Sequence, residues 1–182
     1  MELITKSLIR TFRNNFERKS NTKTFSVFIN EHKTRKSYSF EISVFLSHKH
    51  DDLEELRDAV ALLRSSGVSV YIDTNDEGMP TITSGLTANR LKEKIRSNKK
   101  FILLATEASI SSKWCNWELG YGDAFKYIDN IALLVVKNDN TIWSGNEYLK
   151  IYPIIGMKSN RSEFEVQYPD GRIVDLVKWL KS

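Results

Sequence analysis

A chain of 182 residues, 41% apolar and 27% charged, is sized for one soluble domain with a real hydrophobic core. It holds no apolar run of membrane-spanning length and its first residues lack the pattern of a secretory leader. A single cysteine excludes an internal disulfide framework and a multi-cysteine zinc site, so a reducing, cytoplasmic setting is expected.

The net charge of +4 divides unevenly. Residues 1–38 carry nine Lys or Arg against three acids, a net of +6, and the remainder is −2. Basicity therefore marks an N-terminal arm, 1–38, and gives no support to nucleic-acid binding by the α/β body, 39–182. In the arm, Ile4, Leu8, Phe12 and Phe16 recur every four residues, the spacing of an amphipathic helix, with Lys6, Arg10, Arg13 and Arg18 mostly on other faces. Such a helix suits docking on its own domain, a self-association or partner surface, or a membrane or nucleic-acid contact. Residues 21–36 are polar but interrupted by Phe25, Val27, Phe28 and Ile29, the makings of a short strand.

From residue 40 onward the pattern alternates. Residues 42–46 form a short β-branched and apolar run, the mark of a buried strand. Asp51 and Asp52 then offer an acid cap to a helix marked by Leu53, Leu56, Val60 and Leu63, which Gly67 ends. A second strand, 68–72, leads into a polar loop, 73–85. Ala88, Leu91 and Ile95 mark a helix, 101–105 a third strand, and Ser111 or Ser112 caps a helix over 114–128. Residues 131–136 form a fourth strand and 153–155 a fifth. Ile173, Leu176, Val177 and Leu180 predict a closing helix. Strands separated by helices of this length imply right-handed βαβ units. The expected fold is a three-layer, flavodoxin-like α/β domain with a parallel five-stranded sheet and an N-terminal helical arm. In such folds ligands bind beyond the carboxyl ends of the strands, here residues 47–51, 73–85 and 106–112.

Several chemistries lack their parts. The chain has neither G-x-G-x-x-G nor G-x-x-x-x-G-K-[ST], no Asp ending the third strand for a phosphoacceptor receiver, and no G-x-S-x-G. His48-Lys49-His50-Asp51-Asp52 has the H-x-H-x-D spacing of metallo-hydrolases, but only one further histidine, His32, exists, so no metal is expected. Cys115 has no evident activating base and reads as a small buried thiol. Glu118 differs: a carboxylate within the aromatic stripe of Trp114, Tyr121 and Phe125 costs free energy unless it is paired or functional. Trp117, Tyr121 and Ile128 read first as core.

Trp114-Cys115-x-x-Glu118-Leu119 resembles the W-C-x-x-E helix of Toll/interleukin-1 receptor (TIR) domains. Val44-Phe45-Leu46-Ser47 and Val70-Tyr71-Ile72-Asp73 resemble their first two strands, and the loop with Gly78 and Pro80 resembles their BB loop. The resemblance spans about residues 40–157 and is to the bacterial stand-alone members. It implies an NAD+ nucleosidase with Glu118 as the catalytic carboxylate. Trp114 would stack on the nicotinamide ring, with Ser47, His48 and Lys49 facing ribose and phosphates and Asp73 bordering the cleft. NAD+ would be the substrate, with no separate cofactor. The implied products are nicotinamide and ADP-ribose or a cyclic or conjugated ADP-ribose signal, in antiphage defence, read by a separate effector protein. Self-association through TIR–TIR contacts is implied as well. The alternative is a non-catalytic interaction module or a host-directed effector.

Overall fold

A computed structural model of the chain describes residues 1–20, 42–80, 82, 84–143, 145, 147–159 and 163–182. The strand expected within 21–36 lies outside the described residues. In chain order the elements are β1 (Ile4–Thr5), α1 (Lys6–Ser20), β2 (Ser43–Ser47), α2 (Leu53–Ser65), β3 (Ser69–Tyr71), α3 (Gly85–Ser97) and β4 (Lys100–Ala105). There follow α4 (Glu107–Ser111), α5 (Lys113–Phe125), β5 (Ile131–Lys137), β6 (Ile154–Met157), β7 (Phe164–Gln167), β8 (Ile173–Asp175) and α6 (Leu176–Lys181). Among the described residues no helix is long and apolar enough to cross a membrane.

The strands order as β3-β2-β4-β5-β6-β7-β8, with β1 paired to β5. The five expected strands, β3-β2-β4-β5-β6, are all parallel. Chain direction across the sheet reverses at β2, which puts the topological switch point between β2 and β4. Each central strand is apolar on both faces because both are covered. Val44, Leu46, Ile102 and Leu104 pack with α1, α2 and α6. Phe45, Phe101, Leu103 and Leu133 pack with α3 and α5.

Among the described residues three strands are added to the expected five: β1, beside the end of β5, and the pair β7 and β8. β7 and β8 add an antiparallel hairpin beyond β6. Ile173 belongs to β8, so the closing helix is shorter than its apolar spacing predicts. It begins at Leu176, where the Asp175 carboxylate accepts hydrogen bonds from the backbone N–H of Val177 and Lys178 at 3.0 and 3.2 Å. α5 likewise ends at Phe125, and Ile128 is more than a third exposed instead of core.

Residues 1–20 lie against the body of the fold. Ile4 and Ile9 are fully buried in the α1/α2 core, and β1 pairs in parallel with the end of β5. The basic face of α1 meets the acidic face of α2: Lys6 pairs with Glu55 at 2.8 Å and Arg13 with Asp58 at 3.0 Å. α2 ends as expected at Gly67, whose φ of +79° is open to glycine at little cost. Its start is not capped as expected. Asp52 stands at the cap position but makes no side-chain cap bond, because its carboxylate accepts the Thr106 hydroxyl at the end of β4, at 2.5 Å.

Candidate active site

The carboxyl ends of β2 and β3, the loop after β3 and the start of α5 enclose a cleft of about 430 Å³. Of the residues singled out from the sequence, His48, Lys49, Asp73 and Trp114 line it; Ser47 and Glu118 do not. These two lie beneath it, both almost fully buried, with the Ser47 hydroxyl donating to Glu118 Oε2 at 2.5 Å. Ser47 ends β2 and Glu118 sits in the second turn of α5, so the bond ties the first strand to that helix.

Burial pushes the Glu118 carboxyl up to about 8. The Ser47 hydrogen bond, which favours the charged form, and the nearby negative Asp73 act against each other and leave burial dominant. Burial therefore favours the neutral acid form of Glu118 at pH 7. A cation entering the cleft would favour its ionisation.

His48 is also buried. Its Nδ1 lies 3.3 Å from the Leu46 carbonyl oxygen and 3.7 Å from Asp73 Oδ1. Burial lowers its pKa against the opposing pull of Asp73. The start of α5 is fastened to this strand end. Ser112 Oγ accepts from the Cys115 N–H at 3.4 Å, and Cys115 Sγ donates to the His48 carbonyl at 3.3 Å. The thiol is buried, and burial raises its pKa, which keeps it protonated. Lys49 is more open and pairs loosely with Asp51 at 3.9 Å.

Trp114 does not stand alone beside Glu118. Its indole stacks on Trp117 with centroids 5.0 Å apart, Trp117 on Tyr121 at 5.8 Å, and Tyr121 meets Phe125 at 4.6 Å. Lys92 and Arg96 of α3 lie over this ladder, Arg96 at 4.2 Å from the Phe125 ring. Trp114 and Trp117 are half-buried, one end of the stack forming cleft wall.

A latch with no local pattern in the sequence shapes the loop after β3. Asp76 accepts the Tyr71 hydroxyl at 2.7 Å, the Gly78 N–H at 2.9 Å, and two N–H groups of Arg90 at 3.1 Å each. The paired guanidinium holds the Asp76 carboxyl well below the usual carboxylate range. A Cβ at Gly78 would stand 2.8 Å from Arg90 Nη2, so a larger residue there would make the guanidinium shift. The only sequence signal was the glycine itself, since Asp76 and Arg90 are 14 residues apart.

The profile of the family described as TIR domain matches residues 44–163, a span that contains every residue of this cleft. The chain is 28% identical over 144 residues to ThsB′ of Bacillus cereus strain MSX-D12, named as a probable 3′ cyclic ADP-D-ribose synthase; the match covers 76% of this chain and 75% of that protein. It is 27% identical over 170 residues to TcpO of Methanobrevibacter olleyae, named as a probable 2′ cyclic ADP-D-ribose synthase. That match covers 92% of this chain and 45% of the relative.

Proposed function

This chain belongs to the TIR domain family, and from that premise we propose that it is an NAD+ nucleosidase that breaks the nicotinamide–ribose bond and forms ADP-ribose or a cyclic isomer. One observation carries the reading: a buried carboxyl, Glu118, is held by Ser47 just below a polar cleft at the switch point of the sheet. The two relatives, each named as a probable cyclic ADP-D-ribose synthase, support the same chemistry.

The reaction suits a single acid. Nicotinamide leaves a pyridinium as a neutral molecule, so no general acid is needed. The ribose left behind passes through an oxocarbenium-like state, which a carboxylate stabilises. The cationic nicotinamide ring, stacked on Trp114, favours ionisation of Glu118 when substrate is present. Ser47 then donates to the charged form. Lys49 provides a cation for the phosphates, and Asp73 borders the ribose.

In this reading NAD+ is substrate and no further cofactor takes part. The chain acts after self-association through TIR–TIR contacts, and its product signals to a separate effector protein in antiphage defence. A non-catalytic interaction module is the second reading, and the absence of Glu118 from the cleft wall favours it. The test is incubation of concentrated or clustered protein with NAD+. Wild type should release nicotinamide and Glu118→Ala should not. No release by wild type favours the module, and equal release by both removes Glu118 from the mechanism.

A further inference from the structure

His48 stands between the cleft and the buried layer beneath it, and its two ring nitrogens are treated differently. Nδ1 faces two acceptors, the Leu46 carbonyl oxygen at 3.3 Å and the Asp73 carboxylate at 3.7 Å. It therefore carries the proton, which leaves a lone pair on Nε2. Nε2 is buried and has no hydrogen-bond partner among the described residues. The backbone at this position is fixed by the Cys115 thiol on the His48 carbonyl, and the ring is flanked by His50, with centroids 5.9 Å apart. A buried acceptor without a donor is uncommon in a folded protein. On a residue that lines a polar cleft, it points to a donor that arrives with the ligand.

We propose that His48 Nε2 is the general base that accepts the proton of the sugar hydroxyl that closes the ring of a cyclic ADP-ribose product. The inference rests on the NAD+ reading above. In the first step the bond from the ribose C1 to the nicotinamide nitrogen breaks, and its electron pair leaves with neutral nicotinamide. In the second, a hydroxyl oxygen of the adenosine ribose bonds to that carbon. Its proton passes to Nε2 and then to solvent. NAD+ thus becomes cyclic ADP-ribose, nicotinamide and one proton. Water captured in place of the hydroxyl gives linear ADP-ribose.

The two steps make different demands. The first needs negative charge near the ribose, which Glu118 supplies, and no base. The second needs a neutral imidazole at working pH. Burial favours that form, and the titratable groups facing His48 are Asp73, Asp52 and His50. Asp73 then stabilises the imidazolium as it forms, the arrangement in which a carboxylate orients a catalytic histidine. Glu118 governs whether the bond breaks, and His48 governs what captures the cation.

The test measures nicotinamide, cyclic product and linear ADP-ribose together. For His48→Asn the ratio of cyclic to linear product should fall at least about tenfold, with nicotinamide release falling by less. Asp73→Asn, which keeps the imidazole, should move the ratio in the same direction by a smaller factor. An unchanged ratio in His48→Asn overturns the assignment while leaving the nucleosidase reading intact. So does a wild type that releases nicotinamide but forms no cyclic product. A wild type that releases no nicotinamide overturns both. A measurement on the unsubstituted protein covers the case in which a variant fails to fold: nitrogen NMR of His48 should show Nδ1–H and a bare Nε2, and the opposite tautomer overturns the proposal.

Discussion

The Ser47 hydroxyl donates to Glu118 Oε2 at 2.5 Å inside a layer almost closed to solvent. This bond favours the ionised carboxylate against the burial that opposes it. Ser47→Ala should therefore leave Glu118 harder to ionise. Loss of a hydrogen bond to a charged group is worth about 1.5–3 kcal/mol, so kcat/KM for nicotinamide release should fall roughly 10–100-fold. The fall should be smallest at alkaline pH. Steady-state rates between pH 6 and 9 check it.

Glu118→Gln should stabilise the protein as it removes activity. In the fold the carboxyl titrates at about 8, against an ordinary 4.5 in the unfolded chain. Below pH 4.5 both states are protonated and the site carries no penalty. As pH rises from 4.5 to 8 the unfolded chain ionises and the fold does not, so stability falls. The gain in Tm for the glutamine variant should be near zero at pH 4 and reach at least about 2–4 °C at pH 8. Thermal scans across that range decide it.

Asp76→Asn should loosen the loop after β3. The folded carboxyl is held well below its ordinary 3.8 by Arg90, so its contribution is present above that value and is lost as pH falls below it. Tm at pH 7 should drop by about 2–4 °C, and the gap to wild type should narrow below pH 4. Because this loop forms cleft wall through Met79 and Pro80, KM for NAD+ should rise more than kcat falls.

Arg13→Ala should cost on the order of 3 kcal/mol at pH 8, because it strips the counter-ion from Asp58, whose side chain is 1% exposed. Burial already pushes the Asp58 carboxyl up to about 6 with Arg13 in place. Below that pH Asp58 is protonated in the fold and needs no partner, so the cost should shrink at pH 5. Denaturant titrations at the two pH values separate this from a simple packing loss.

Local patterns carried much of the architecture. The β-branched run around Val44, the helical spacing of Leu56, Val60 and Leu63, and the glycine at 67 each act through near neighbours and were legible. The β7–β8 hairpin is hard to see in the sequence although Phe164 and Val166 alternate with Glu165 and Gln167, because its strands have only four and three residues and the apolar spacing from Ile173 to Leu180 also fits one helix. The site divides in the same way. Glu118 could be singled out as a carboxylate in an aromatic stripe. Its partner on Ser47, the Asp52–Thr106 bond and the Asp76–Arg90 latch join residues far apart in sequence, and no local pattern encodes them. Nor did periodicity reveal that Glu118 lies under the cleft instead of in its wall.

The ring ladder on α5 also has an optical consequence. Of the four tryptophans, Trp114 alone lines the cleft, and its indole is stacked at 5.0 Å on Trp117 with the planes 23° apart. Two indoles so close share their electronic transitions, so the near-ultraviolet circular dichroism of the pair depends on what rests against its outer face. The protein thus carries its own unlabelled gauge of cleft occupancy, readable without turnover in variants that can bind but not react.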